Sequence, residues 1–191
     1  MLDLLWWNNL TNDWKQAFAE TCFHHKNEPT LVELEQLYSA PAFRFAGPSA
    51  PFPNMSVELT DFSGIMALKN LQILILIHHQ VKSLEDLASM FGLKKLFLYN
   101  NQINSLAGVE GLTDLEQLYV QFNNIDSINP VNTLVKLREF YIHDNHITSL
   151  DGLTSEHADN LEMFVCKPND QLKQKEILRI ERELGIRCRS V

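Results

Sequence analysis

A leucine recurs at a fixed interval along the middle of this 191-residue chain, and this period constrains the fold more than any other feature. Leu71, Leu93, Leu115 and Leu137 lie 22 residues apart, and Leu161 follows after 24. Each of them opens a segment of the form Leu-x-x-Leu-x-Leu-x-x-Asn, with isosteric replacements. The five segments are LQILILIHH, LKKLFLYNN, LEQLYVQFN, LREFYIHDN and LEMFVCKPN. Such a period predicts a stack of similar supersecondary units, one for each repeat.

The spacing within a repeat predicts which side chains are buried. Leu-x-Leu has the period of a β-strand, so the leucines point to the core and the intervening residues to solvent. Strands are therefore predicted at residues 73–77, 95–99, 117–121, 139–143 and 163–167. Further apolar columns, three residues apart, predict a tight return that brings the next strand parallel to the last. One repeat cannot bury its apolar edge alone, whereas several stacked repeats can.

An asparagine column closes most of the segments, at Asn101, Asn123, Asn145 and Asn169. We expect these side chains to turn inward, where their amides can bond backbone groups that the turn leaves unpaired. His79 occupies the same column in the first segment and is the exception.

These segments resemble leucine-rich repeats, specifically the 22-residue class found in bacterial internalins and in a eukaryotic phosphatase regulator. The match extends from Leu71 to about Asn169, and NQINSLAGVEGLTDLEQL and NNIDSINPVNTLVKL are similar to internalin repeats. The opening WWNNLTNDWKQAF is similar to a segment that precedes such repeats in other bacterial proteins. The resemblance implies a bacterial protein with an α/β fold, a right-handed solenoid with a parallel β-sheet on its concave face. It also implies partner binding through that concave sheet.

Helical caps are predicted at both ends, because a solenoid otherwise exposes its apolar core. A first helix is indicated by the spacing of Trp14, Ala17, Phe18 and Cys22. A second helix opens with Thr30 and Glu33 as a capping box. At the other end, Asp170 is expected to cap a helix that Gly185 terminates. The apolar stripe of that helix contains Ile177, Ile180 and Leu184.

The chain divides into four predicted regions: a helical cap at 1–40, a proline-rich connection with a degenerate first repeat at 41–70, the repeats at 71–169, and a helix and strand cap at 170–191. Four prolines exclude a regular helix from the connection. Phe43 and Phe45 fit the Leu-x-Leu positions of the degenerate repeat. An insertion at 46–56 would interrupt that repeat and protrude beside the carboxyl ends of the strands.

Composition narrows the function and the location. The 16 Lys plus Arg against 24 Asp plus Glu give a net charge of -8, which disfavours nucleic acid as a partner. The opening MLDLLWWNN lacks the basic region of a signal peptide, and no apolar stretch approaches the roughly 20 residues that cross a bilayer. We therefore expect a cytoplasmic protein that does not enter a membrane. Three distant cysteines without a CxxC pair indicate neither a disulfide framework nor a zinc site.

The sequence predicts no catalysis, no cofactor and no metal. It contains no glycine-rich phosphate loop, no GxSxG, no HExxH and no paired carboxylates. Cys166 takes a core leucine position, whereas a reactive thiol needs an exposed setting and a partner base. A metal is suggested above all by His143 and His146 with Asp144 between them, and also by the adjacent pairs His24/His25 and His78/His79. The repeat register accounts for most of these positions.

Residues between the buried strand positions form outward columns that are unusually apolar. Partner binding is predicted for Ile75, Phe97, Tyr99, Tyr119, Phe122, Tyr141, His143 and Val165. Aromatic residues are enriched in interface cores, and a contiguous exposed patch marks a binding site. The alternative is that aromatic and β-branched residues merely suit strands and stack on their neighbours.

The favoured hypothesis is a non-catalytic interaction module that binds a protein or peptide through the concave face. The alternative is a structural or self-associating protein that forms a homodimer through that face or a sheet edge. A third hypothesis is a small-molecule or metal site around His143. Five strands about 4.8 Å apart cover on the order of 400 Å², half of a standard interface side of about 800 Å². Either side-chain relief and the rim of the face contribute the remaining area, or the ligand is a peptide or a small element.

Overall fold

A parallel β-sheet runs through the protein from one end to the other. The computed structural model describes residues 3–51 and 54–191, and the strands in this part pair in chain order. The strands are β1 (Ala42–Ala46), β2 (Ile73–Ile77), β3 (Lys95–Phe97), β4 (Gln117–Tyr119), β5 (Glu139–Tyr141), β6 (Met163–Lys167) and β7 (Cys188–Ser190). Every neighbouring pair is parallel. The predicted α/β solenoid with a parallel sheet is confirmed.

Helices lie mainly at the two ends of the chain. They are α1 (Leu4–Asn9), α2 (Asn12–Phe18), α3 (Leu31–Ser39), α4 (Ser155–Ala158) and α5 (Gln174–Glu183). A π-helical turn at Ala19–Phe23 continues α2, and 3₁₀ turns at Glu85–Ser89 and Asn129–Thr133 lie in the returns between strands. The Thr30 and Glu33 capping box opens α3 as expected. Helix α1 was not predicted; the Asp3 carboxylate caps it by accepting from the Trp6 N–H at 2.8 Å.

One continuous apolar core fills the stack from Trp7 to Cys188. Leu98 is fully buried and Phe97 is partly exposed, so the predicted inward and outward positions are correct. Three of the predicted strands are two residues too long. The regular pairing of these strands ends at Phe97, Tyr119 and Tyr141, because the chain turns through left-handed residues shortly afterwards.

The asparagine column forms a buried hydrogen-bonded ladder. The Asn123 amide donates to the Leu98 and Val120 carbonyls, both at 3.0 Å, and its oxygen accepts from the Ile103 N–H at 2.9 Å. Asn145 makes the equivalent bonds one repeat later. Each amide therefore links two consecutive turns of the solenoid.

Asn123→Ala is expected to lower the free energy of unfolding by about 1–3 kcal/mol, because it leaves buried backbone groups without partners. Lys136→Ala is the control, because both partners of its ion pair with Asp114 are exposed and such a pair contributes little to stability. Urea titration of both variants checks this, and equal midpoints at an unchanged m-value would contradict the structural role of the ladder.

The predicted cap at Asp170 is wrong. Helix α5 begins only at Gln174, with Lys173 at the N-cap position and no side-chain cap. A turn closed by the Leu172 N–H and the Asn169 carbonyl at 3.0 Å comes first and places Leu172 in the core. The end of the helix is as expected, because Gly185 adopts a left-handed conformation with φ of +72°.

Candidate functional site

The side of the sheet opposite the main core carries the outward columns, and we call it the open face. Its central column contains Ile75, Phe97, Tyr119, Tyr141 and Val165, which the strand register places side by side. The first four are partly exposed, and Val165 is buried.

Three aromatic rings in this column stack across β3, β4 and β5. The Phe97 and Tyr119 ring centroids lie 4.7 Å apart, and those of Tyr119 and Tyr141 lie 4.2 Å apart at an interplanar angle of 30°. We call Phe97, Tyr119 and Tyr141 the aromatic ladder. Its rings support one another, so the ladder presents a firm apolar surface with little side-chain entropy left to lose on binding.

A carboxylate borders the ladder on the amino side of the strands. Glu139 accepts hydrogen bonds from the Gln117 amide at 2.7 Å and from the Tyr119 hydroxyl. Burial raises the pKa of the Tyr119 hydroxyl, and its bond to Glu139 raises it further, so Tyr119 remains a neutral donor. Within residues 3–51 and 54–191, Glu139 forms no ion pair. Both hydrogen bonds to its carboxylate therefore come from neutral groups.

A second acceptor lies on the other side of the ladder. Gln121 follows β4, and its side-chain oxygen is buried and accepts no hydrogen bond from the described residues. An unpaired buried acceptor costs about 1–3 kcal/mol relative to a paired one.

Phe122 combines exposure with backbone strain. Its φ is +57°, and the equivalent positions in other repeats are held by His78, Asn100 and Asp144 with φ of 57°, 55° and 52°. Asn, Asp and His tolerate the left-handed region, whereas a bulky residue there is an outlier. The Phe122 side chain is nevertheless 46% exposed. This phenylalanine gives the fold an edge-on ring contact with His143 but leaves nearly half of its side chain exposed.

Two predicted contact residues are covered. His143 and Val165 are each only 4% exposed, so the expectation that both face solvent is wrong. The His143 ring lies under the edge of Phe122, at a centroid distance of 5.2 Å, and its Nδ1 lies 2.6 Å from the Asp144 carboxylate. Val165 is enclosed because β7 adds a strand beyond β6 and places Arg189 beside it. The repeat pattern does not extend to β7.

The insertion closes the opposite end of the open face, so the prediction that it protrudes is wrong for the residues described. The Gly47 N–H donates to the Ile77 carbonyl at 2.9 Å, and Ala46 and Ala50 are buried against Ile77. A Cβ at Gly47 would lie 1.7 Å from the His78 carbonyl oxygen, so only glycine allows this approach. Ile75, Phe97 and Tyr99 pack against the same cluster. Residues 52–53 of the insertion lie outside the described residues.

The uncovered part of the face therefore spans β3 to β5. It retains Phe97, Tyr99, Tyr119, Tyr141 and Phe122 of the predicted residues, while Ile75 lies partly under the insertion. Glu139, Gln117 and Gln121 were not predicted as site residues. The repeat register places these three residues beside the aromatic ladder, but only the side-chain geometry shows the hydrogen bond between Gln117 and Glu139.

A cleft of about 800 Å³ lies elsewhere, between the N-terminal helices and the segment around Asn54 and Ser56, and it was not predicted from the sequence. Its wall includes Lys15, Glu20 and His25. Most of their polar atoms are used internally: Lys15 donates to the Asn8 carbonyl at 3.1 Å, and Glu20 accepts from Ser56. The His25 Nε2 lies 2.8 Å from the Glu33 carboxylate, whereas its Nδ1 is buried without a partner among the described residues. The cleft thus offers fewer unpaired groups than its size suggests.

Other chemistry has little basis in the part of the chain that the structure describes. No group of three or more His, Cys, Asp or Glu side chains in residues 3–51 and 54–191 converges to hold a metal ion. Cys166 and Cys188 are buried and Cys22 is partly buried. None of the described helices is both long and apolar enough to span a bilayer.

Comparison with known proteins agrees with the repeat architecture. Residues 92–134 match the family described as leucine-rich repeats (2 copies). No curated protein matches the sequence. Among solved structures, an internalin of Listeria monocytogenes is 18% identical with a TM-score of 0.59, over 81% of this chain and 48% of the internalin. A leucine-rich-repeat protein of Leptospira interrogans is 23% identical with a TM-score of 0.64, over 85% of this chain and 40% of the Leptospira protein.

The fold and the repeats together define a solenoid of the leucine-rich-repeat class. The chain has internalin-like repeats and spans less than half the length of these two bacterial structures. Solenoids of this class typically serve as protein–protein interaction modules and present extended concave binding surfaces.

Proposed function

We propose that this protein binds a peptide segment of another protein on the open face between β3 and β5. The observation that carries the proposal is the exposed, strained Phe122 beside the aromatic ladder. A residue that is strained and largely exposed is better explained by a contact outside the chain than by packing within it. Exposed aromatic residues at the centre of a bounded surface are frequent binding hot spots.

The dimensions favour a narrow ligand. Three strands about 4.8 Å apart, with about five residues each at roughly 3.3 Å, give on the order of 240 Å² of flat sheet. This is well below the roughly 800 Å² that each side contributes to a standard interface. The insertion and β7 limit the face at its two ends. We propose that an extended segment or a protruding loop fits between them.

Phe122→Asn is expected to weaken ligand binding by about 2 kcal/mol while leaving the fold as stable or up to about 1 kcal/mol more stable. Asparagine relieves the left-handed strain, since Asn100 occupies the same position one repeat earlier. The ligands are peptides selected from a random phage-displayed library on the wild-type protein. Affinity is measured by calorimetry and stability by urea titration.

Tyr141→Ala is a second variant for this test, because its ring ends the aromatic ladder. Lys136→Ala, on an exposed ion pair away from the ladder, is the control. If Phe122→Asn destabilised the protein by more than about 1 kcal/mol and left affinity unchanged, the ring would serve packing and the proposal would fail.

Self-association is the alternative role for the same surface or for the free edge of β7. The net charge of -8 opposes it, because two copies repel each other. A monomeric mass by light scattering at micromolar concentration supports the proposal, and a dimer that Phe122→Asn dissociates contradicts it.

A further inference from the structure

We infer that the ligand of the open face carries an arginine whose guanidinium pairs with Glu139, an inference that rests on the proposed function. The charge of Glu139 is the starting point. Its two oxygens accept from the Gln117 amide and the Tyr119 hydroxyl, which are both neutral. Each carboxylate oxygen has a second lone pair, so a cation can be added without breaking either bond.

A second carboxylate of the open face also favours a ligand rich in donors. Asp144 borders Phe122, and its carboxylate bonds His143 through one oxygen. An acidic ligand would meet Glu139 and Asp144 with repulsion, in a protein whose net charge is -8. The basic side chains on the neighbouring strands are Lys95 on β3 and Arg189 on β7, each two strands from Glu139, and Lys167 on β6. Arg138, the residue before Glu139, pairs with Glu162, and the Arg189 guanidinium donates to the Glu162 carbonyl.

Arginine fits this arrangement better than lysine does. Its planar group presents several N–H donors in a fixed fork that matches the two carboxylate oxygens. Its aliphatic stem can lie along apolar surface while the charged head reaches a polar rim. Glu139 lies directly beside Tyr119 and two residues before Tyr141, so a stem that crosses the aromatic ladder ends at the carboxylate.

The test uses random heptapeptides displayed on phage, selected on the wild-type protein and counter-selected on the Phe122→Asn variant. The peptides that depend on the face are expected to be enriched in arginine. Enrichment in lysine without arginine overturns the choice of a guanidinium. Peptides that depend on the face but lack basic residues overturn the inference and leave the proposed function intact. If no selected peptide depends on the face, both fail.

A double-mutant cycle locates the contact. Replacing the peptide arginine by citrulline, which is neutral and of the same shape, is expected to weaken binding about tenfold in the wild type and hardly at all in Glu139→Gln. Glu35→Gln, an exposed carboxylate on α3, is the matched control and should behave as the wild type. An equal loss in Glu139→Gln and in the wild type overturns the pairing.

A charge swap gives a second measurement that does not depend on the neutral variant. Glu139→Lys is expected to bind the arginine peptide at least about tenfold more weakly and to recover affinity when that arginine is replaced by glutamate. Both proteins are first compared by urea titration. Absence of recovery in a folded Glu139→Lys variant overturns the inference.

Discussion

Trp14→Ala is expected to lower the free energy of unfolding by about 3–5 kcal/mol, although Trp14 lies outside the repeats. Its side chain is 1% exposed, and its indole N–H donates to the Asp61 carboxylate at 2.9 Å. Its ring contacts Phe45 edge-on at a centroid distance of 5.2 Å and Phe18 at 5.6 Å. Helix α2 is thereby fixed to strand β1 and to the return that follows it.

The loss of stability should differ in kind from that caused by an ordinary core truncation. Each repeat of a solenoid contacts only its neighbours, so the first repeat depends on the cap that covers it. Without the indole, Phe45 and the first return lose their cover, and the unfolding transition should broaden. Urea titration followed by circular dichroism measures both the midpoint and the m-value.

Leu5→Ala is the control for the cap, because Leu5 is 70% exposed on α1. Equal midpoints for Leu5→Ala and Trp14→Ala would show that the cap does not stabilise the repeats. Gly64 provides a further check, since a Cβ there would lie 2.1 Å from the Trp14 ring. Gly64→Ala should therefore destabilise the wild type strongly and the Trp14→Ala variant much less.

The repeat period predicted the fold because it specifies burial independently in every repeat. Leu74, Leu96 and Leu118 are buried at positions that the period assigns to the core. The alternation of side chains along a strand determines which side of the sheet each residue faces, but it does not determine what covers that side. Val165 and Ile75 both occupy outward positions. Val165 is covered by β7 and Ile75 is partly covered by the insertion, and the period describes neither.

One part of the candidate site could have been recognised more fully from sequence. Aligning the repeats places Phe122 in a column with His78, Asn100 and Asp144, which are residue types that tolerate left-handed backbone. The bulky residue in that column is the signal of strain. The bonds of Glu139 give no such signal, because a register places two side chains as neighbours without fixing their hydrogen bonds.

His79 is expected to make stability depend on pH between about 6.5 and 4. It occupies the place of the asparagine ladder in the first repeat, and its Nδ1 accepts from the Leu59 N–H at 3.0 Å, as Asn101 accepts from Val81. Burial lowers the pKa of the His79 imidazole from 6.5 to about 4, and the backbone of Phe45 offsets this only in part. An imidazole that accepts a backbone hydrogen bond must be neutral at that nitrogen.

The direction of the effect follows from proton binding. Between pH 6.5 and about 4, the unfolded chain protonates this histidine and the folded protein does not. Since the unfolded state then binds more protons, stability falls as the pH falls. A pKa difference of about 2.5 units corresponds to roughly 3 kcal/mol, complete near pH 4 and absent above pH 7.5.

His79→Asn tests this directly, because asparagine supplies the same acceptor without a titrating group. At pH 7.5 the variant should be close to the wild type in stability, and at pH 4.5 it should be more stable by about 2 kcal/mol. His146→Asn, at an exposed position, is the matched control, while the buried His157, whose pKa is also lowered by burial, contributes equally to all three proteins. Urea titrations at half-unit pH steps give the three slopes. If His79→Asn retained the full slope of the wild type, the pH dependence would arise elsewhere, and the histidine would be only a neutral substitute in the asparagine ladder.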